Sequence, residues 1–313
     1  MKFLVAGGAG FIGSHLCDRL LKSGNRVICA DNLLTGSKTN IQTALKNDNF
    51  EFIQVDICKS DFVEKIMEKN LDFVINLASP ASPVDYLNFP VETMKVGSIG
   101  TLNTLELAKA CNAKYFFAST SEVYGDPKVS PQNEGYWGNV NPIGPRSVYD
   151  ESKRFSEALI FSYKRKFNLD IKIARIFNTY GPRMRKNDGR VIPNFISQAL
   201  KDMPLTIYGD GSQTRSFCYI DDLIDGTIKM LESNETGPIN LGNPNEFTIK
   251  ELAEMVNKNF NKPLSNIKFS PLPEDDPKQR RPDISKAKNL LGWEPKIDLQ
   301  TGLELTIKWF LSL

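Results

Sequence analysis

A short apolar run, KFLVA at 2–6, leads without a break into GGAGFIG at 7–13, and an amphipathic stretch follows. Gly7, Gly10 and Gly13 stand three residues apart. Few arrangements satisfy this pattern other than a strand, a tight turn and a helix. Glycine permits the turn, lets backbone approach a pyrophosphate and lets the helix pack close on a sheet. The N–H groups at the helix start favour negative charge. A glycine triplet alone is a weak signal. It gains weight here because Asp31 closes the next apolar run, 18 residues after Gly13. A carboxylate there accepts hydrogen bonds from a ribose 2′-hydroxyl and repels a 2′-phosphate, so the chain is expected to bind NAD in preference to NADP. Asp56 closes the third such run and reads equally as a contact to the adenine end or as a cap.

The first 180 residues continue this alternation. Strands are expected at 2–6, 26–30, 50–55, 73–77, 114–118 and 170–176, and helices at 12–22, 60–69, 91–111 and 149–167. Strand–helix–strand repetition implies parallel pairing with right-handed crossovers. The expected fold class is therefore α/β, a Rossmann-type doubly wound parallel sheet with a smaller, interleaved C-terminal substrate-binding lobe. From about residue 178 the texture shifts to segments punctuated by Gly, Pro and Arg, such as TYGPRMRKNDGR at 179–190 and YGDGSQTRSF at 208–217. A helix at 219–231 reads as a return to the first lobe. The division expected is 1–177 plus about 218–239 for the dinucleotide-binding domain, and 178–217 plus about 240–313 for the substrate lobe. The length of 313 residues fits two domains.

Composition closes off several chemistries. The formal charge is only +2, from 39 Lys and Arg against 37 Asp and Glu, which argues against gripping nucleic acid or an anionic membrane by bulk charge. The chain has one histidine, His15, so a multi-histidine metal site is excluded, and a histidine-dependent nucleophile would have to be built on His15 itself. Its place just after the glycine turn suits a helix residue near a phosphate-binding loop. No metal is expected. Cys17, Cys29, Cys58, Cys111 and Cys218 are scattered without a CxxC pair and suit a reducing compartment. With no long apolar span or leader-like start, the chain is expected to be cytoplasmic.

Tyr149 and Lys153 stand four apart on a predicted helix and so share a face. A tyrosine near its ordinary value of about 10 is a poor base at neutral pH. A neighbouring ammonium stabilises the tyrosinate and lets it take a hydroxyl proton as a hydride departs. Behind a dinucleotide fingerprint, this YxxxK pair resembles the short-chain dehydrogenase/reductase superfamily. STSEVYG at 119–125 follows the 114–118 strand and places Thr120, Ser121 and Glu122 at the crevice, where a carboxylate is an acid–base or orienting candidate.

Longer stretches narrow the resemblance. NLASPASPVDY at 76–86, STSEVYGDP at 119–127, YWGNVNPIGPRS at 136–147, RIFNTYGPRM at 175–184, DGRVIPNF at 188–195, NLGNPNEFTI at 240–249 and RRPDISKAK at 280–288 are similar to the extended short-chain dehydrogenases that act on nucleotide sugars. Within them the chain resembles the UDP-glucuronate decarboxylases. Sugar epimerases usually lack an acid at the Glu122 position, and 4,6-dehydratases typically carry Asp-Glu where Ser121-Glu122 stand. Both remain alternatives, as does a non-catalytic NAD-sensing protein, although such relatives usually lose the tyrosine or lysine.

The resemblance implies C4 oxidation of UDP-glucuronate by Tyr149, Lys153 and NAD, loss of CO2 from the resulting β-keto acid, and re-reduction. Glu122, Ser121 and Thr120 would orient the sugar. Arg280 would stabilise carboxylate or enolate first and deliver a proton second, since a guanidinium is a better anion holder than acid. It also implies that Phe11, Ile12, Asn32, Thr35, Gly36, Ile57, Leu77 and Ala78 join Gly7, Gly10, Gly13, Asp31 and Asp56 around the cofactor. Pro80, Tyr86, Lys95, Asn178, Arg190, Val191, Tyr208, Gln213 and Arg215 would line the substrate site. Arg190 and Arg215 are expected on the diphosphate, in a cluster with Arg183 and Arg185. A homodimer through a four-helix interface of the 91–111 and 149–167 helices is implied. One departure is Gly97 after Val96, where the family often has Asn after Thr; a lost polar contact and a looser helix are expected there.

Overall fold

The computed structural model describes residues 1–263, 265–272 and 279–313. The six strands expected from the sequence form as β1 (Lys2–Ala6), β2 (Arg26–Asp31), β3 (Phe50–Gln54), β4 (Phe73–Asn76), β5 (Lys114–Thr120) and β6 (Ile171–Ile176). A seventh strand, Ile239–Leu241, extends the sheet beyond β6, and the expected lobe boundary near 239 runs through it. The order across the sheet is Ile239–Leu241, β6, β5, β4, β1, β2, β3, with every pair parallel.

The strands are apolar on both sides because both faces are covered. Phe3 and Val5 of β1 join Cys29, Ile75 and Phe116 on one face, against α1 (Phe11–Lys22). Leu4 and Ala6 join Ile28, Val74 and Phe117 on the other. That face is covered by α2 (Phe62–Met67), which is shorter than the 60–69 expected, and by helices of the later crossovers. The chain runs from β1 outward through β2 and β3, then returns to β4 on the other side of β1. At this reversal the loops leaving β1 and β4 diverge, which opens a crevice at the strands' carboxyl ends.

The expected helix at 91–111 is interrupted. After α3 (Pro83–Asn88) come α4 (Pro90–Lys95), one wide π turn at Val96–Gly100, and α5 (Thr101–Ala110). The cause is close packing against α6 (Ser147–Phe167). A Cβ on Gly97 would stand 2.6 Å from the Cβ of Ser152, and Ser156 Oγ donates to the Gly97 carbonyl at 2.6 Å. The wide turn absorbs one extra residue without breaking the rod. Gly97 therefore tightens this contact, contrary to the looser helix expected.

Among the described residues the second lobe carries α7 (Val191–Leu200) and three small sheets. The largest orders Glu246–Thr248, Thr214–Ser216 and Gln279–Arg280. The helix expected at 219–231 forms as α8 (Ile220–Glu232) and returns to α1, where Arg19 pairs with Asp225.

Loop 181–190 crosses between two banks of the crevice. On the α1 side His15 Nε2 meets the Pro182 carbonyl at 3.0 Å, and Arg183 bonds Asp18 at 2.6 Å. On the α3 side Arg185 bonds Asp85, and a Cβ on Gly189 would lie 2.4 Å from Val84 Cγ2. Burial holds His15 below the usual imidazole range, so the single histidine is a neutral tie of this strap.

Candidate active site

A crevice of about 970 Å³ opens where β1 and β4 part, and all the site residues singled out above line it except Gly36. Gly36 stands behind Asp31, where a Cβ would come within 2.9 Å of Oδ1.

One side of the crevice is made of backbone. Gly7 has φ +78°, and a Cβ there would strike Ala78 N at 2.8 Å. A Cβ on Gly13 would lie 2.2 Å from the Gly7 carbonyl oxygen. Gly10 precedes α1 in extended conformation with no side-chain cap, and no acid stands in the helix's first turn. The first N–H groups of α1 are thus left without a capping side chain, an arrangement that suits a phosphate. At the end of β2 the Asp31 carboxylate accepts from Ala9 N at 3.0 Å and Leu33 N at 2.8 Å. Burial raises its pKa, and these two N–H groups pull it back. Asp56 Oδ1 accepts from Cys58 N at 2.8 Å and Oδ2 from Asn32 Nδ2 at 3.4 Å. It therefore caps its own loop while lining the crevice.

The other side is made of side chains. Tyr149 and Lys153 face inward from α6, both buried. Burial pushes the Tyr149 phenol up to about 12, opposed by a hydrogen bond with Thr120 and by the charges of Arg190 and Arg146. Lys153 Nζ donates to the Ala118 carbonyl at 2.8 Å and lies 5.8 Å from the centre of the Tyr149 ring. Burial drives this lysine down to about 7, with Glu157 opposing. The Tyr86 ring stacks on Tyr149, centroids 5.3 Å apart and planes 10° apart. The Tyr86 hydroxyl is buried without a partner among the described residues.

Glu122 sits between two guanidiniums. Arg146 Nη2 donates to its Oε2 at 2.7 Å, and Arg280 Nη1 donates to its Oε1. Arg280 reaches in from the Gln279–Arg280 strand, held also by Nη2 to the Gly125 carbonyl at 2.9 Å; its buried Nε has no partner among the described residues. Burial pushes Arg280 down to about 10, and Tyr86 works against this. The carboxylate is thus gripped from two sides by guanidiniums at the crevice. Arg146 was not singled out from the sequence, although it stands three residues before Tyr149, at the start of α6. That spacing was the available signal.

The second-lobe arginines all line the crevice, each with its own partner. Arg183 moors the strap to Asp18 and Arg185 moors it to Asp85. Arg190 is gripped by Asp188, with Nε to Oδ1 at 2.5 Å and Nη2 to Oδ2 at 2.8 Å, and its guanidinium lies 5.9 Å from the Phe11 ring at the start of α1. It is therefore nearer the glycine turn than the cluster reading implied. Arg215 is buried, with Nη1 on the Thr214 carbonyl at 2.9 Å, and pairs in register with Arg280. Gln213 Nε2 donates to the Tyr208 carbonyl at 2.6 Å. Among the described residues no helix is long and apolar enough to cross a membrane.

Residues 4–306 match the family model for GDP-mannose 4,6 dehydratase. The chain is 55% identical over 306 residues to UDP-glucuronic acid decarboxylase 6 of Arabidopsis thaliana, covering 97% of this chain and 87% of that protein. It is 50% identical over 309 residues to UDP-glucuronic acid decarboxylase 1 of Danio rerio, covering 99% of this chain and 72% of that protein. Among solved structures it is similar to UDP-glucuronic acid 4-epimerase from Bacillus cereus in complex with UDP-glucuronic acid and NAD. That likeness has a TM-score of 0.90 and 35% identity, covering 100% of this chain and 99% of that one.

Proposed function

The chain belongs to the GDP-mannose 4,6 dehydratase family of extended short-chain dehydrogenases, among the UDP-glucuronic acid decarboxylases, and from that premise we propose how its crevice works. It is an NAD-dependent carboxy-lyase that converts UDP-glucuronate to UDP-xylose. The glycine cradle, with no room for a Cβ at Gly7 or Gly13, and the Asp31 carboxylate fit a dinucleotide. There the glycine turn and Asp31 would hold NAD, which would supply a hydride acceptor for C4 oxidation and a hydride donor for re-reduction.

Tyr149 takes the proton of the sugar C4 hydroxyl, with Thr120 and Lys153 stabilising the tyrosinate. The 4-ketone so formed lies β to the C6 carboxylate, and loss of CO2 leaves an enolate. The observation that carries the reading is the Arg146–Glu122–Arg280 trio beside Tyr149. Its two guanidiniums offer positive charge to the negative substrate carboxylate. As CO2 departs, that negative charge passes to the enolate, which Arg280 and Ser121 are placed to hold. Arg280 is secondarily the proton donor to C5. Tyr149 then returns its proton as C4 is reduced, so the cycle has no net redox change. Arg215 and Arg190 hold diphosphate, Arg190 at the cofactor side, while Tyr86 and Lys95 border the sugar and Asn178, Tyr208 and Gln213 the nucleotide.

A homodimer through α4–α5 and α6 completes the reading. Its support is an outward apolar face bearing Val91, Met94, Leu102 and Phe155, each at least 40% exposed. Five free cysteines, three of them buried, fit the cytoplasm. The test is incubation with UDP-glucuronate, with and without added NAD, followed by mass spectrometry. CO2 and a UDP-pentose are expected. Intact hexuronate with inverted C4 would make the protein an epimerase, and NAD binding without turnover of any nucleotide sugar would make it a sensor.

A further inference from the structure

Behind the catalytic pair lies a largely enclosed ion pair that the reaction above does not use. Glu157 stands one helical turn beyond Lys153 on α6 and so on the same face. Arg175 of β6 grips it with two bonds, Nε to Oε1 at 3.0 Å and Nη2 to Oε2 at 2.7 Å, and both side chains are 12% exposed. Ser119 Oγ adds a third bond to Oε1 at 2.5 Å. Arg175 Nη1 goes on to the Tyr124 hydroxyl at 3.0 Å. Lys153 itself bonds the carbonyl of Ala118, the residue before Ser119. Two successive residues of β5 are therefore tied to α6, one by the lysine and one by the glutamate, just ahead of Thr120, Ser121 and Glu122.

We propose that Glu157 is a positioning residue for the reaction: held by Arg175 and Ser119, its carboxylate is the counter-charge of the catalytic lysine and pins the end of β5 to α6. The proposal rests on the reading of Tyr149 and Lys153 given above. Lys153 is buried, and the Glu157 carboxylate works against that burial to keep its proton. The charges of Arg190, Arg146 and Asp150 face Tyr149. Burial leaves the lysine at about 7 and the tyrosine at about 12, so of the two the lysine loses its proton first. Glu157 therefore sets how far up in pH Lys153 keeps the ammonium charge that favours the tyrosinate.

Glu157→Gln tests this in the NAD-loaded enzyme. The Cε resonance of Lys153 is followed by carbon-13 NMR against pH and assigned by its disappearance in Lys153→Met. Its midpoint is expected to fall by about one unit or more. With UDP-glucuronate, turnover at neutral pH falls at least about tenfold, and the falling limb of the pH profile moves to lower pH together with that midpoint. Glu157→Asp restores both. If Glu157→Gln fails to fold around an unpaired Arg175, the double change with Arg175→Gln makes the same prediction, since the charge acting on Lys153 is that of the carboxylate. An unmoved Lys153 midpoint overturns the proposal, as does a loss of turnover that Glu157→Asp leaves unrestored. A moved midpoint in a protein that leaves UDP-glucuronate intact keeps Glu157 in its role and removes the decarboxylase reading instead.

Discussion

The two walls of the crevice are built from opposite materials. On the β1–β2 wall the contacts are backbone: Gly7 and Gly13 are shaped by the absence of a Cβ, and α1 presents uncapped N–H groups. On the β5–α6 wall they are ionisable side chains drawn from distant parts of the chain, Glu122, Arg146, Tyr149, Lys153 and Arg280. A wall of backbone tolerates no added atoms and has no charge to lose. A wall of side chains has room to change shape, yet Tyr149, Lys153 and Arg280 are buried, Glu122 and Arg146 partly so, and each is held by its neighbours. Adding a methyl group should therefore damage the first wall, and removing a proton site or a charge the second.

The largest effect expected is on the side-chain wall. Tyr149→Phe should lower turnover on the order of 10³-fold, with NAD affinity and melting temperature nearly unchanged; normal turnover would remove the general base. Arg280→Gln should come next, on the order of 10²-fold in CO2 release measured against NAD binding. Equal loss of both would mean that the wall had collapsed. Gly13→Ala reverses the pattern, since its methyl would lie 2.2 Å from the Gly7 oxygen. It should cost about 1–3 kcal/mol of stability and weaken NAD binding, seen by denaturant midpoints and titration. A stable, NAD-binding Gly13→Ala would break the contrast between the walls.

Smaller effects sharpen the comparison. Lys153 holds its proton only up to about pH 7 in the folded chain, because of burial, but to about 10.4 when unfolded. Between those values the unfolded chain binds the extra proton, so this group makes the fold more stable as pH rises. Against Lys153→Met, the wild type should gain in urea midpoint between about pH 7 and about pH 9; parallel curves would contradict the buried lysine. Smallest is Asp85→Asn, which frees Arg185 from the α3 bank of the strap. A partly exposed pair contributes about 1 kcal/mol or less, so NAD should leave only a few-fold faster in a competition assay.

The backbone wall was legible in the sequence because it is local. Three glycines and one aspartate lie within 25 residues of one another, and their spacing alone implies the strand, turn and helix. Tyr149 and Lys153 were legible for the same reason, being neighbours on one helix. The trio was only half legible. Glu122 and Arg280 were singled out through family resemblance, but they meet across 158 residues, and Arg146 joins them across 24. No periodicity announces such a meeting. Glu157 and Arg175 went unnoticed because a charge on an amphipathic helix reads as a solvated face. Their burial follows only once β6 lies beside α6. The partners of the arginines at 183–190 were not legible, because sequence closeness says nothing about which acid each one finds. The seventh strand, with three residues, is shorter than any pattern of alternation that would reveal it.

Loop 181–190, moored to α1 through His15 and Asp18 and to α3 through Asp85 and Val84, has a consequence of a mechanical kind. A segment pinned at both ends is a tie-beam: the α1 and α3 banks cannot part without breaking the Arg183–Asp18 or the Arg185–Asp85 pair, so the width of the crevice is set by two ion pairs in a loop rather than by the sheet beneath it.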